Sequence, residues 1–193
     1  MKELLENFTE FEVKFKIDDN KLQEFKMLVD SFSDLKSFLY VEGYDYYYVH
    51  PDSSFIRYRK GDHDKSNRAE LTIKHKREEK HNVNRMEVNI RVDFNDRKTV
   101  EKFVNTLNYH YNFHIWKSCH IYHFPDADLV YYTVRDSDKK LVNFVEIEVN
   151  PNLKVTEEQA WEIIRKYESS LSSLGVNAQK RLRKSLYEMY KKS

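Results

Sequence analysis

The sequence is poor in the residues from which several common sites are built. It has a single cysteine, Cys119, so no intramolecular disulfide can form and a zinc site made of cysteines is excluded. It has only three glycines, Gly43, Gly61 and Gly175, and these form neither a phosphate-binding loop nor a GxGxxG motif. If this chain binds phosphate, it must therefore do so with side chains.

Long apolar runs and an excess of one charge are also missing. No stretch approaches the ~18 apolar residues that a membrane span needs, and the first residues contain no apolar leader segment. The net charge is +1, from 33 basic and 32 acidic residues, which does not suggest a non-specific nucleic-acid binder. We therefore expect a cytoplasmic protein with no membrane partner and no stable nucleic-acid complex. Its richness in Asn, Lys and Tyr is typical of AT-rich genomes, which adds a viral protein of the host cytoplasm as a hypothesis.

What the sequence does contain is a series of short segments rich in β-branched and aromatic residues. These predict about eight strands, at residues 9–16, 43–50, 53–60, 68–76, 84–92, 112–124, 129–136 and 143–150. Apolar residues at helical spacing predict helices at about 18–33, 96–108, 156–175 and 177–192. We expect one domain, residues 1–193, of the α+β class, with an antiparallel sheet and helices packed outside it.

The strands alternate apolar with charged residues, and the charges are grouped by sign. In "TEFEVKFK" (9–16), Glu10, Glu12 and Lys14 share one face and the apolar residues share the other. Acids recur as the pair Glu146/Glu148, whereas bases occur as the pairs Arg57/Arg59 and Lys74/Lys76. One interpretation is an amphipathic sheet whose charged face lies in water.

The energetics of like charges favour a second interpretation. Two like charges ~4 Å apart repel by roughly 4 kcal/mol at an effective dielectric constant near 20. A divalent metal between the acids and a phosphate chain among the bases would turn both clusters into favourable ones. A closed barrel would gather these faces in its lumen, because larger barrels can enclose a polar cavity.

The order of these motifs resembles the CYTH, or triphosphate tunnel metalloenzyme, superfamily. Its E-x-E-x-K signature matches Glu10, Glu12 and Lys14, and the later motifs follow in sequence order over about residues 8–190. These are "YDYYY" (44–48), "FIRYRK" (55–60), "LTIKHK" (71–76), "NRMEV" (84–88), Lys117, "FVEIEV" (144–149) and "SLYEMY" (185–190). The resemblance implies an eight-stranded antiparallel β-barrel, the triphosphate tunnel, with helices outside.

The resemblance also implies the site residues. The metal, Mg²⁺ or Mn²⁺ because carboxylate oxygens are hard ligands, would be held by Glu10, Glu12, Glu146 and Glu148. Phosphate oxygens would be bound by Lys14, Arg57, Arg59, Lys74, Lys76, Arg85, Lys117 and Arg135. Lys14, Lys76 and Glu87 would take part in catalysis, with Glu87 a further candidate metal ligand and Asp136 and Asp138 orienting a second metal or a water.

Two segments depart from the family pattern. Cys119 stands where the lysine strand usually continues K-x-R, and "KKLVNF" (139–144) replaces a glycine-rich segment. One phosphate contact would then be lost, or supplied by His120 or Arg135.

The resemblance implies a triphosphatase acting on inorganic triphosphate, a nucleoside triphosphate, thiamine triphosphate or an RNA 5′ end. A class IV adenylyl cyclase is the alternative, although "DDNKLQEFKML" (18–28) lacks the histidine that cyclases of the family carry after the first strand. A non-catalytic module that binds a triphosphate or nucleotide is a further alternative. The partner is expected to be a small-molecule triphosphate or nucleotide, and the chain a monomer or a homodimer.

Overall fold

The computed structural model describes residues 9–19, 21–61, 69–74, 84–92 and 96–191. Its eight strands are β1 (Thr9–Ile17), β2 (Ser37–Val49), β3 (Phe55–Gly61), β4 (Ala69–Lys74), β5 (Asn84–Val92), β6 (His110–His123), β7 (Ala127–Arg135) and β8 (Leu141–Val149). Its helices are α1 (Leu22–Asp30), α2 (Arg97–Thr106), α3 (Glu157–Ser170) and α4 (Leu186–Tyr190), with 3₁₀ turns at Ser172–Leu174 and Ala178–Lys180.

The eight strands form a closed barrel in the order β1-β5-β4-β3-β2-β6-β7-β8. Every neighbouring pair is antiparallel, and β1 closes the barrel because it pairs with β5 at its start and with β8 along the rest of its length. The predicted α+β class and the antiparallel barrel are therefore confirmed.

Helices cover the outer face of the barrel where the strands turn apolar side chains outward. Phe25 and Val29 of α1 and Ile164 of α3 pack against the outward residues of β1, β7 and β8. On another side, Val100 and Val104 of α2 cover outward residues of β3 and β4. Each buried side chain of this size stabilises the fold by roughly 1.5–3 kcal/mol, which fixes the register of the strands and so decides which residues point into the barrel.

The predicted helix at 156–175 is confirmed with one adjustment. Thr156 and Gln159 form a capping box at the start of α3. The helix ends at Ser170, and the chain continues through a 3₁₀ turn to Gly175, whose φ of 82° lies in the left-handed region.

The predicted helix at 177–192 forms as an α-helix only over Leu186–Tyr190. After the 3₁₀ turn the chain runs extended beside β1, where the amide of Leu182 donates to the carbonyl of Lys14 at 2.8 Å. The helix α4 begins only at Leu186, and the preceding residue, Ser185, caps it by forming a capping box with Glu188. The chain leaves the helical path because β1 offers backbone partners there.

The short helix α4 packs at one end of the barrel. Leu186 and Tyr187 belong to an apolar cluster with inward-facing strand residues, among them Tyr47, Phe55 and Phe113. The ring of Tyr187 stacks on that of Phe55 with centroids 4.4 Å apart, and Tyr47 stacks on Phe113 at 4.6 Å. Aromatic packing around α4 therefore fills one end of the barrel, while the polar residues line the rest.

No helix in the described ranges is both long enough and apolar enough to cross a membrane.

Candidate active site

A cavity of about 260 Å³ lies inside the barrel and is lined largely by ionic side chains. The polar lining consists of Glu12, Lys14, Arg57, Arg59, Glu70, Asn89, Lys117, His123, Asp128, Glu146, Glu148 and Ser185. These residues come from seven of the eight strands and from the start of α4. They meet because alternate residues of every strand point inward and the barrel is closed.

The acidic side of the cavity is built by the neighbouring strands β1 and β8. Glu12 lies directly opposite Glu148 in the strand register, and Lys14 lies opposite Glu146. The Nζ atom of Lys14 is 2.6 Å from Oε1 of Glu146 and 3.7 Å from Oε1 of Glu12. Because these side chains are only 7–13% exposed, the carboxylates need a nearby cation, and Lys14 provides it here.

Tyr132 links the acidic side to the basic side. Its hydroxyl donates a hydrogen bond to Oε1 of Glu146 at 3.0 Å, and Nζ of Lys117 lies 3.8 Å from the centre of its ring. Burial, together with the nearby carboxylates of Glu146 and Glu12, raises the pKa of Tyr132 well above its usual value. The phenol therefore stays protonated and remains a donor.

On the basic side, Arg59 is held by a buried carboxylate of β2. Its Nε and Nη2 donate to the two oxygens of Asp45 at 2.7 and 2.8 Å, and Asp45 is only 1% exposed. Burial alone would raise the pKa of Asp45, but the Arg59 guanidinium outweighs it and holds that pKa well below the usual range. A guanidinium carries five N–H donors, so this pairing fixes the orientation of Arg59 and leaves donors over for an anion.

Arg57 is oriented by a polar group on β4. Its Nη2 donates to Oε1 of Glu70 at 3.1 Å and to the hydroxyl of Thr72 at 2.9 Å. Thr72 is fully buried and donates in turn to Oδ1 of Asn89 on β5 at 2.6 Å. Both arginines of β3 are therefore positioned before any ligand binds.

Cys119 lines the cavity two residues after Lys117 on β6. Burial raises the pKa of its thiol, and this outweighs the opposite effect of Lys117 and Arg59. The position that carries an arginine in the resembling family is therefore a neutral, weakly polar one in this barrel.

The donor set on β1 and β8 suits a hard divalent cation. Glu12, Glu146 and Glu148 line the same cavity, and carboxylate oxygens are the ligands that Mg²⁺ and Mn²⁺ prefer. Within the ranges that the structure covers, no three His, Cys, Asp or Glu side chains are gathered as a ready metal-ligand set. Lys14 stands between Glu12 and Glu146, so a metal held here would have to share these carboxylates with the Lys14 ammonium.

The structure brings together seven of the residues predicted from the sequence. These are Glu12, Lys14, Arg57, Arg59, Lys117, Glu146 and Glu148. Four other predicted residues lie in described strands, where the backbone of Glu10 pairs with that of Arg85 and the backbone of Lys74 pairs with that of Glu87. The side chains of these four residues are outside the described part of the structure. Lys76 lies outside the described residues altogether.

Arg135 is not brought to the cavity, which corrects its expected place among the phosphate ligands. Its guanidinium carbon lies 4.7 Å from the ring centre of Trp116, and both residues alternate with the inward-facing ones of their strands. His120 also faces outward, with its ring 4.9 Å from that of Tyr40. Neither residue therefore replaces the cation missing at Cys119. Asp136 instead stabilises the β7–β8 turn by accepting from the amides of Asp138 and Lys140.

Sequence reasoning missed several polar residues of the cavity wall and its support. Glu70 and Thr72 precede Lys74 at a spacing of two, so strand alternation could have placed them on the same face. Asp45 likewise shares one face of β2 with Tyr47, two residues further along the strand. The pair of His123 and Asp128 carries no such signal, because it depends on the register between β6 and β7.

Comparison with known proteins agrees with this architecture. The solved structure of a conserved hypothetical protein from Pyrococcus furiosus matches with a TM-score of 0.70 and 22% identity, over 93% of this chain and 98% of that one. A "putative adenylate cyclase" from Vibrio parahaemolyticus matches with a TM-score of 0.66 and 11% identity, over 93% and 97%. The mimivirus capping enzyme triphosphatase matches with a TM-score of 0.59 and 12% identity, over 90% and 91%.

At these identities the solved structures show a shared fold, and no curated protein sequence matches the chain. The family model described as the CYTH domain matches residues 9–183, which include all eight strands of the barrel. The chain therefore belongs to the CYTH domain family.

Proposed function

We propose that this chain is a divalent-metal-dependent triphosphatase that hydrolyses a triphosphate held in the barrel cavity. One observation carries the proposal. Glu12, Glu146 and Glu148 lie on the adjacent strands β1 and β8, whereas Arg57, Arg59 and Lys117 lie on β3 and β6, which flank β2 on another arc of the barrel. A triphosphate bound to the bases would have its remaining charge facing the acids, which is favourable only with a cation between them.

The basic residues would bind and orient the phosphate chain. Arg57 and Arg59 are held in place by Glu70 and Asp45, so they lose little freedom when they bind phosphate oxygens. Lys14 lies beside the carboxylates and would contact the phosphate that is transferred. Further phosphate contacts are proposed for Lys74, Lys76 and Arg85.

The acidic residues would hold Mg²⁺ or Mn²⁺. The proposed ligands are Glu10, Glu12, Glu146 and Glu148, with Glu87 as a further candidate. A bound divalent ion supplies charge neutralisation at the phosphate oxygens, where phosphoryl transfer needs it. In the reaction, the oxygen of a water bonds to the terminal phosphorus, the bond to the bridging oxygen breaks, and orthophosphate and the shortened phosphate chain leave.

Product analysis tests this proposal. The protein would be incubated with ATP or inorganic triphosphate, first with Mg²⁺ and then with Mn²⁺, and compared with a Glu12→Gln/Glu148→Gln variant. Glu162→Gln is the matched control, because it removes an exposed carboxylate from α3. We expect orthophosphate from the wild type and the control, and at least a hundredfold less from the double variant. Equal release from all three proteins would contradict the proposal.

The same experiment separates the alternatives. The fold likeness to the "putative adenylate cyclase" supports a cyclase as the second candidate, which would yield cyclic AMP and pyrophosphate from ATP. Binding of triphosphate without any product would instead support a non-catalytic binding module.

A further inference from the structure

Tyr132 is a fully buried tyrosine of β7 that lies between the acidic and the basic side of the cavity. It belongs to an apolar cluster with Val130, Val134 and Phe144, none of which has a polar side-chain atom. Its ring stacks on that of Phe144, with centroids 5.2 Å apart and an angle of 22° between the planes. Packing therefore fixes the ring, and the ring in turn fixes the position of its hydroxyl.

The hydroxyl of Tyr132 and the ammonium of Lys14 bind the same oxygen of Glu146. Nζ of Lys14 is 2.6 Å from Oε1, and the Tyr132 hydroxyl donates to that oxygen at 3.0 Å. Among the described residues, no hydrogen bond or ion pair to the other oxygen, Oε2, is present. Two donors at one oxygen restrict the rotation of the carboxylate and leave the lone pairs of Oε2 to a cation.

The two donors to Glu146 differ in charge, and this difference matters when a divalent cation binds. The Lys14 ammonium repels a cation at Glu146, whereas the neutral hydroxyl of Tyr132 carries no net charge and does not. In the proposed function Lys14 also contacts the phosphate that is transferred, which takes it away from Glu146. The Tyr132 hydroxyl would then be the donor that still holds Oε1 in place.

The ring of Tyr132 makes a second contact, with the ammonium of Lys117 on β6. Nζ of Lys117 lies 3.8 Å from the ring centre, and the residue is only 8% exposed. No ion pair joins Lys117 to a carboxylate of the described residues. A buried ammonium needs a favourable partner, and the face of an aromatic ring is one, most strongly where water is excluded. The ring therefore sets where the Lys117 charge lies in the cavity.

We infer that Tyr132 is a positioning residue that serves both sides of the site. Its hydroxyl presents Oε2 of Glu146 to the divalent cation, and its ring places the Lys117 ammonium for a phosphate oxygen. The inference rests on the proposed function for the presence of metal and phosphate in this cavity. It goes beyond that function because Tyr132 lies outside all the sequence motifs named above and acts through Glu146 and Lys117.

Two variants separate the hydroxyl from the ring, and two binding measurements separate the metal from the phosphate. Tyr132→Phe removes only the hydroxyl, whereas Tyr132→Leu removes the ring as well. Tyr131→Phe is the matched control, because it removes a hydroxyl from the neighbouring buried tyrosine, which packs on Phe25 of α1. Mn²⁺ binding without triphosphate would be measured by electron paramagnetic resonance, and binding of inorganic triphosphate in EDTA by calorimetric titration.

The two variants should differ in which ligand they lose. In Tyr132→Phe we expect the dissociation constant for Mn²⁺ to rise about tenfold, since one hydrogen bond to a charged carboxylate is lost, while triphosphate binds in EDTA as in the wild type. In Tyr132→Leu we expect the same loss for Mn²⁺ and a further loss of about threefold or more for triphosphate, since Lys117 loses its ring. The control should keep both wild-type values.

The outcomes that would overturn the inference are distinct from those that would overturn the proposed function. Wild-type Mn²⁺ affinity in Tyr132→Phe would refute the role of the hydroxyl even if the enzyme releases orthophosphate, and an equal loss of both ligands there would leave Tyr132 a structural role only. Unchanged triphosphate binding in a folded Tyr132→Leu would refute the role of the ring.

The reverse result separates the two proposals in the other direction. If the wild type releases no orthophosphate but Tyr132→Phe selectively loses Mn²⁺, the triphosphatase proposal fails and the positioning role stands. A wild type that binds no Mn²⁺ would overturn both.

Discussion

Asp45 is buried in β2 and holds the guanidinium of Arg59 through two hydrogen bonds. Asp45→Asn would keep the size of the side chain but leave the Arg59 charge without its counterion. Breaking a buried ion pair costs about 3–5 kcal/mol, and the low end, about 3 kcal/mol, applies because the Arg59 side chain is 29% exposed. Urea unfolding at pH 7 measures this loss. Asp52→Asn, at an exposed turn, is the control, and an equal effect in both variants would rule out a special role for the buried pair.

The same pair predicts how stability depends on pH. Burial raises the pKa of Asp45, but Arg59 lowers it by a larger amount. The pKa of Asp45 in the folded state therefore lies below its value in the unfolded chain. The stabilisation is therefore fully present above the unfolded value of about 3.9 and is lost as the pH falls through the lower folded value. We expect the stability gap between wild type and Asp45→Asn to be constant near neutral pH and to shrink below pH of about 4. Unfolding curves across this range would refute the assignment if the gap grew in acid.

Cys119 gives a prediction about affinity. Cys119→Arg would add a cation near Lys117 and Arg59, which destabilises the empty cavity but favours an anion within it. We expect inorganic triphosphate to bind about tenfold more tightly to Cys119→Arg than to a matched Cys119→Ser variant, because Cys119→Arg gains a charge-assisted hydrogen bond. Calorimetric titration gives both dissociation constants. Equal values in two folded variants would mean that this position does not reach the phosphates.

For single residues, the sequence predicted which side chains point into the cavity better than it predicted which groups those side chains contact. Alternation and motif order identified Glu12, Arg57 and Lys117 as inward residues. The carboxylates that orient the arginines were not predicted, because Asp45 meets Arg59 only through the register of β2 with β3. Arg135 was misplaced for the same reason, since a shift of one residue along a strand moves a side chain to the other face.

Among the elements, α4 is where local sequence signals and tertiary structure disagree. Residues 177–192 have helical composition, yet the backbone of Lys14 accepts from Leu182 and Arg181 is bound by Glu168 of α3. These long-range contacts hold the segment extended, which propensity alone could not reveal. The strands were easier to predict because each needs only one apolar and one polar face.

The packing of α4 predicts that shortening one side chain, Tyr187, strongly lowers the free energy of unfolding. Tyr187 is buried against Phe55 and lies 6.0 Å from the rings of Tyr47 and Phe113. Tyr187→Ala would leave a cavity in this aromatic cluster and lower the free energy of unfolding by about 3–4 kcal/mol. Tyr187→Phe keeps the ring and should cost far less. Urea denaturation of both variants tests the role of α4, which would have to be revised if the two losses were alike.

At the scale of the whole molecule, the cavity separates acidic from basic strands although the total charge is nearly zero. The net charge is +1, yet closure of the barrel places the acids of β1 and β8 apart from the bases of β3 and β6. The net charge does not suggest a general binder of nucleic acid, and it could not show this separation, which exists only once β1 pairs with both β5 and β8. Motif order predicted the closure, and the strand pairing confirms it.

This polarised cavity predicts that triphosphate stabilises the folded chain as a unit. A ligand at a hundred times its dissociation constant adds about 2.7 kcal/mol, which corresponds to a rise in Tm of about 5–10 °C for a chain of this length. We expect that rise with inorganic triphosphate and Mg²⁺, and a smaller one with EDTA, since the bases alone then bind the phosphates. In Glu12→Gln/Glu148→Gln, adding Mg²⁺ should make little further difference. Equal Tm values with and without triphosphate would mean that the barrel is a structural sheet with a charged interior, because a ligand that binds only the folded state must raise its stability.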